Sequence, residues 1–420
     1  MCFSTTQKLL PMSYLPESTG KSQYKVTHNF LTKSHRQRFG SSPQGQTLHR
    51  INILCGMLSS CIETKSSSIE GLSNYSIVRH HKDDETTVKS DNEDLFEADI
   101  LESDKDIETR KAQTKRWLSS KWTDWETFYA PYIYVMLSQI ASKGELILTI
   151  DGSETAGDCV TLMLSVVWRG YAIPLVWLTR EMKKGHFPEQ WHCDLIESAE
   201  SFLQTLSIPC RKVLLGDGEF DGATLRKMCK NFNWEFVLRT ARDRQIDCGC
   251  GETARIDKLF NLNEDIVFVE DACEGDNAIL WHSSKYDDPI PLLTNMDLGE
   301  MACCYYKKRF KIELLFKQMK SAGFNVHKSK IESAHRVANL IIVVALSFLI
   351  TFCVGLCLIA QPAKVLKKFI RPDKIDTFLP ITVALKCFKH KFSFFINALS
   401  LISKNFFDFF NLFCFKNVYG

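Results

Sequence analysis

The chain has 420 residues, 45% of them apolar, and a formal net charge of +3. That apolar share supports a sizeable core, which excludes a chain too polar to fold. The length allows two or three domains, and the mild positive charge is compatible with a nucleic-acid partner without requiring one.

Residues 1 to about 50 are polar and basic, with Lys33, His35, Arg36, Arg38, His49 and Arg50 toward the end. Loose order is expected at their start. Met1 to Leu10 carry too short an apolar run for a signal peptide. The 16 cysteines are scattered, and reduced, buried thiols are expected. Cys248-x-Cys250 and Cys303-Cys304 lack a second pair at zinc-ribbon spacing, so no structural zinc is expected. Ile51, Ile53, Leu54, Met57, Leu58 and Cys61 predict a helix over 48–62. A short second segment, 69–72, suggests a small bundle of helix-turn-helix type.

The stretch 82–108 is acidic and reads as a solvated linker or surface loop. A helical pattern follows over 109–140. There Lys111, Lys115, Arg116 and Lys121 interleave with Trp117, Trp122 and Trp125. Such a pattern suits a phosphate backbone with stacked bases. The competing reading, tryptophans packed inward beside solvated lysines, is the one expected.

From residue 145 the period changes. Strands are predicted over 146–150, 160–168 and 172–178, then a helix over 189–206. A strand over 212–215, a helix over 222–231 and a strand over 234–239 complete the run. The order is β-β-β-α-β-α-β, an α/β mixed sheet on the ribonuclease-H-like plan. Residues 242–293 interrupt it, with strand candidates at 266–270 and 278–282, and read as a β-rich insertion. The core resumes near Glu300 with a further helix. Residues 340–360 are apolar and long enough to cross a bilayer. A helix buried on all sides is expected instead, because Ser347 and Thr351 interrupt the run. Residues 392–415 are aromatic-rich but broken by Asn397, Lys404, Asn405 and Asp408.

The organisation expected is therefore a helical N-terminal region (1–110), with possible DNA recognition, and a first catalytic part (111–240). The insertion (241–293), a last catalytic part (294–360) and a C-terminal helical region (361–420) follow.

Three acids carry the chemistry. Asp151 ends the apolar run Leu-Ile-Leu-Thr-Ile-Asp, and Asp217 ends Val-Leu-Leu-Gly-Asp. Glu313 lies on the later helix within Tyr306-x2-Arg309-x3-Glu313-x6-Lys320. Carboxylates at two strand ends and on a packed helix can converge on a pair of divalent ions, the equipment for phosphodiester chemistry. Taken singly, each Asp-Gly reads as turn chemistry, and Asp158, Glu219 and Asp221 compete. Helical spacing would project Tyr306, Arg309, Glu313 and Lys320 from one face. The acid there would hold metal, the cations would grip phosphates, and the phenol would contact a phosphate or a base.

The complete Tyr-x2-Arg-x3-Glu-x6-Lys string, with Thr-Ile-Asp-Gly-Ser (149–153) and Gly-Asp-Gly-Glu-Phe-Asp-Gly (216–222), resembles the DDE transposases of the insertion-sequence-4 family. The resemblance implies a ribonuclease-H-like catalytic domain and a β-rich insertion between the second aspartate and the glutamate. It implies two magnesium ions, with manganese able to substitute, held by Asp151, Asp217 and Glu313. It assigns Tyr306, Arg309 and Lys320 to DNA near the cut phosphate; Trp281 is a candidate for stacking on a flipped base, with a packed core tryptophan the expected reading. Double-stranded DNA (element ends and target) is the implied partner, a homodimer on DNA the implied assembly, and the bacterial cytoplasm and nucleoid the implied place, with no membrane. Two alternatives stand beside it: a ribonuclease-H-like nuclease without strand transfer, and a DNA-binding derivative that has lost transposition.

Overall fold

The computed structural model describes residues 23–75, 104–182, 186–249, 252–259, 265–283, 287–361, 367, 370, 379–390 and 392–404. These fall into two compact units. One is helical and takes the described residues within Met1–Tyr132, Gly323–Ser329 and Asn339–Phe413. The other is built on a sheet and takes those within Ile133–Ala322 and Lys330–Ala338. Residues 1–22 and most of the expected acidic linker, 82–103, lie outside the described residues.

In the sheet unit, β1 (Glu145–Glu154), β2 (Cys159–Trp168) and β3 (Tyr171–Glu181) form an antiparallel meander. All ten residues of β2 are buried, so both faces of this strand are covered. Next, α7 (Glu189–Gln204) leads to β4 (Arg211–Gly216), which lies parallel to β1. Then α8 (Ala223–Asn231) leads to β5 (Glu235–Arg239), parallel to β4. Parallel neighbours need such crossovers, because a tight turn cannot reverse the chain twice.

The segment 245–294 is β-rich. Its β6 (Gln245–Asp247) and β7 (Thr253–Arg255) pair only with each other. Its β8 (Ile266–Cys273), β9 (Asp276–Trp281) and β10 (Ile290–Thr294) extend the main sheet past β5. The order is β3-β2-β1-β4-β5-β10-β9-β8. This is the mixed α/β sheet of the ribonuclease-H-like plan, and helical regions flank it in sequence. One face is closed by α9 (Gly299–Tyr306). Its Ala302, Cys303, Tyr305 and Tyr306 pack with Val213, Leu215, Val237 and Leu292. Trp281 belongs to this cluster at 5% exposure, so it is a core tryptophan.

The helical unit holds α1 (Gln23–Phe39), α2 (Gly45–Thr64), α3 (Ile69–Ser73), α4 (Asp104–Ser119) and α5 (Trp125–Phe128). The first of these was not legible in sequence. Its buried positions are Gln23, Val26, Thr27, Phe30, Leu31, Ser34 and His35. They have helical spacing, but four of the seven are polar, which hides the stripe. The tryptophans of α4 and the turn after it divide. Trp117 is buried and donates to the Arg50 carbonyl at 3.1 Å, whereas Trp122 is 65% exposed beneath the Lys121 ammonium.

Two helices run across the unit boundaries in sequence, α6 (Ala130–Ala141) and α11 (Ala334–Ile359). The latter is long and apolar enough to cross a membrane, yet its most apolar window is buried throughout inside the protein. In the helical unit the Asn339 amide donates to the Leu118 carbonyl at 2.9 Å, and the Thr351 hydroxyl donates to the Ser347 carbonyl at 2.7 Å. A core helix accounts for such surroundings better than a span does. The unit is completed by α12 (Pro380–His390) and α13 (Phe392–Lys404).

Gly355 of α11 faces the backbone of Pro380, and a Cβ there would collide with the Pro380 carbonyl. Backbone cannot yield as a side-chain tip can. Gly355→Ala is therefore expected to cost about 1–3 kcal/mol, seen as a lower melting midpoint of the full chain. An unchanged midpoint would refute the close crossing.

Candidate active site

The sheet register brings the first two acids together. Thr149 pairs with Leu215 across the parallel β1–β4 ladder. Two residues further along each strand stand Asp151 and Asp217. The ladder spacing places their backbones roughly 5 Å apart. Side chains alternate between faces with period two. Ile147, Val213 and Leu215 lie in the cluster under α9, so Asp151 and Asp217 emerge on that same face. Asp151 is no hairpin residue: β1 continues to Glu154, and Asp151 pairs with Met163 of β2.

The third acid arrives by a route other than a continuous helix. After α9 the backbone tightens. Lys308, Arg309, Lys311 and Ile312 donate to carbonyls three residues back. Next come α10 (Lys311–Lys317) and a π-helical turn, Gln318–Ala322. The expected single helical face therefore does not exist. In a tight turn residues three apart eclipse, which sets the Arg309 guanidinium 5.9 Å from the Tyr306 ring centroid. From Arg309 the α-helical i,i+4 step carries on to Glu313.

Arg309 is the hub. One terminal nitrogen lies 2.8 Å from Glu313 Oε1, and the other 3.8 Å from Asp217 Oδ2. Its side chain is only 4% exposed, against 39% for Asp217 and 54% for Glu313. Its Nε is buried without a hydrogen-bond partner. The Asp151 carboxyl accepts the Gly152 amide at 2.8 Å. Burial pushes its pKa up to about 6, opposed by that hydrogen bond and by Arg309, and reinforced by Asp217 and Glu313. The three acids thus act on one another across a shared space. Among the described residues, no three acid, histidine or cysteine side chains stand close enough to hold an ion as they are. The chemistry of the donor set nonetheless suits a hard divalent cation, since all three ligand candidates are carboxylates, and a guanidinium already sits among them as positive charge.

Tyr306 departs from expectation. It is 1% exposed, in the core beneath Arg309, and burial raises its pKa to about 12. From there the phenol lies against the guanidinium and not on an outward face. The apolar neighbours on α9 and the sheet pull that side chain inward. Lys320 comes from the π turn and donates to Ser153 Oγ of β1 at 2.7 Å. A π turn shifts the side chains that follow it, and such turns frequently mark functional sites.

Arg239 was missed in sequence. It ends β5 and lies 3.6 Å from Asp217 Oδ1. The parallel β4–β5 register, Gly216 with Leu238, predicts this pairing one residue on. Of the competing acids, Asp158 is exposed in the β1–β2 turn, and Asp221 is held by Arg244 and the Thr240 hydroxyl.

Behind the Asp217 loop lies His192, 1% exposed, against Phe220 at 4.7 Å, with both ring nitrogens unpartnered. Burial lowers its pKa to about 4, with Glu189 opposing. A depressed histidine is neutral in the folded protein and takes up protons first when unfolded. Its contribution to stability is complete above about pH 6.5 and is lost as pH falls toward 4. Wild type should lose up to about 3 kcal/mol more than His192→Leu across that window, measured by urea melts. Parallel acid limbs for the two proteins would refute this.

Residues 196–350, which hold Asp217, Arg309, Glu313 and Lys320 but not Asp151, match a family model described as transposase DDE domain. No curated protein matches the chain. The segment carrying two of the three acids is thus similar to the DNA-cutting and joining domain of DDE transposases.

Proposed function

We propose that the chain is a DDE transposase of the insertion-sequence-4 type, cutting and joining DNA at element ends by two-metal-ion phosphoryl transfer in cut-and-paste transposition. The observation that carries this reading is the convergence on Arg309. Asp217 and Glu313, remote in sequence, both meet its guanidinium, and Asp151 faces the same space.

Asp151, Asp217 and Glu313 would hold the ions. Bound there, two magnesium ions, or manganese in their place, supply Lewis acidity at the attacking and leaving oxygens. The remaining work belongs to the chain. The Gly152 amide orients the Asp151 carboxylate. Arg309 balances the acids in the metal-free protein and turns to a DNA phosphate when they are otherwise neutralised. Tyr306 supports that guanidinium from below, and Ser153 steadies Lys320 for a second phosphate. Arg239 adds positive charge beside Asp217. The partner is double-stranded DNA, as element ends and as target. A homodimer would supply one site per end, in the bacterial cytoplasm and away from membranes.

The test is magnesium-dependent nicking of plasmid DNA carrying the sequences that flank the gene, followed by joining of pre-cleaved ends to a second plasmid. Nicking and joining are expected. Nicking alone would favour a nuclease of the same fold. Neither, with magnesium or manganese, would sink the reading.

A further inference from the structure

Asp158 and Asp221 are explained by a turn and by an arginine, whereas Glu219 is not. It stands two residues beyond Asp217, with its side chain 23% exposed. Its Oε1 accepts the backbone N–H of Phe187, and His186 Nδ1 lies 3.8 Å away. No lysine or arginine among the described residues pairs with it.

Phe187 is where this contact acquires meaning. Its ring packs on the backbone of Gly152, and a Cβ on Gly152 would strike the ring at Cε2 and Cζ. The amide of that same Gly152 donates to Asp151 Oδ1 at 2.8 Å. A continuous path therefore runs from the loop after β4, through the Glu219 carboxylate and the Phe187 ring, to the amide that orients Asp151. On the far side the ring is backed by Trp191 at 6.2 Å and His192 at 6.4 Å.

We infer that Glu219 is a positioning residue and not a metal ligand. Its carboxylate pins Phe187 over Gly152 and so ties the two aspartate-bearing strands into one site. The role requires a hydrogen-bond acceptor and not a charge. Gly152 is required because the ring occupies the place of its side chain. This rests on the transposase reading only for the consequence in catalysis.

The full-length chain with Glu219→Gln, Glu219→Ala and Gly152→Ala tests it. The first readout is hydrogen exchange of the Phe187 amide, without DNA or metal. Glu219→Ala should exchange at least about tenfold faster, and Glu219→Gln, whose side-chain carbonyl still accepts, should stay within about threefold of wild type. The second readout is magnesium-dependent nicking of the flanking-sequence plasmid. Displacement of a reacting group by about an ångström costs up to about 100-fold. Glu219→Ala should therefore lose about 10- to 100-fold in kcat with KM for DNA within about threefold. Glu219→Gln should remain near wild type. Gly152→Ala should mimic Glu219→Ala with Glu219 intact.

If Glu219→Gln is as inactive as Glu219→Ala, the charge matters and Glu219 is a ligand, which overturns the proposal. Unchanged Phe187 exchange in Glu219→Ala overturns it as well. If wild type itself fails to nick, the transposase reading falls, while the exchange measurement still decides the anchor. Should Glu219→Ala fail to fold, Glu219→Gln and Gly152→Ala decide between the outcomes.

Discussion

Asp217→Ala is expected to reduce metal-dependent nicking by about 100- to 1,000-fold or more while leaving DNA affinity within a few fold. Losses of that size follow when one preorganised charge at a reacting centre is deleted. The reason for the split lies in the geometry. Asp217 follows the last residue of β4; it accepts the Gly218 amide at 2.9 Å and has Arg239 at 3.6 Å and Arg309 at 3.8 Å as cationic neighbours. Removing it takes a ligand from the proposed ions and leaves Arg239 without this acid, while Arg309 keeps Glu313, which keeps the attraction for phosphate intact or strengthens it. The paired measurements are single-turnover nicking and a binding titration over a range of salt. A variant that nicks like wild type would remove Asp217 from the site. One that loses binding as well would make it a DNA contact.

The second large effect is expected at Arg309. Its guanidinium is nearly fully buried between two acids that are partly exposed. Arg309→Ala leaves those acids and Asp151 without their counter-charge. Deleting one partner of a fully buried pair costs about 3–5 kcal/mol, and water at Asp217 and Glu313 reduces this to about 1–3 kcal/mol. The loss should appear as a lower melting midpoint in metal-free buffer. Magnesium should restore much of it, because an ion bound by the folded state alone stabilises that state by mass action. Wild type should respond less, since its own guanidinium competes for the same space. Arg309→Lys should not rescue nicking, because a single ammonium cannot span two carboxylates as a planar fork does. Equal magnesium responses in wild type and Arg309→Ala would refute the counter-ion role.

The two aspartates were singled out because each closes an apolar run, although β1 runs on past Asp151 to Glu154. The acid at 313 was legible by its spacing from Tyr306, Arg309 and Lys320. The path to it was not. A helix pattern records which residues are apolar, not whether the chain tightens to three-residue bonds at 308–312 or widens at 318–322. Tyr306 was read as outward because its period fits a surface face. Its burial depends on α9 lying over Val213, Leu215 and Val237, which are distant in the chain. Arg239 was invisible for the same reason, and Glu219 was seen only as a competing acid, without its contact. One needs the β4–β5 register and the other the approach of Phe187.

Order and period along the chain settled the β-β-β-α-β-α-β succession and the extent of each of its strands to within a few residues, and they singled out Asp151, Asp217 and Glu313 as the candidate acids. Those properties are local: they follow from side-chain alternation and from which residues can end a strand. Tertiary structure alone decided that the strands of the insertion join the main sheet, that Tyr306 turns inward, and that one guanidinium mediates between the acids. These depend on which surfaces meet, and that choice is made by the whole folded chain burying its apolar area at once.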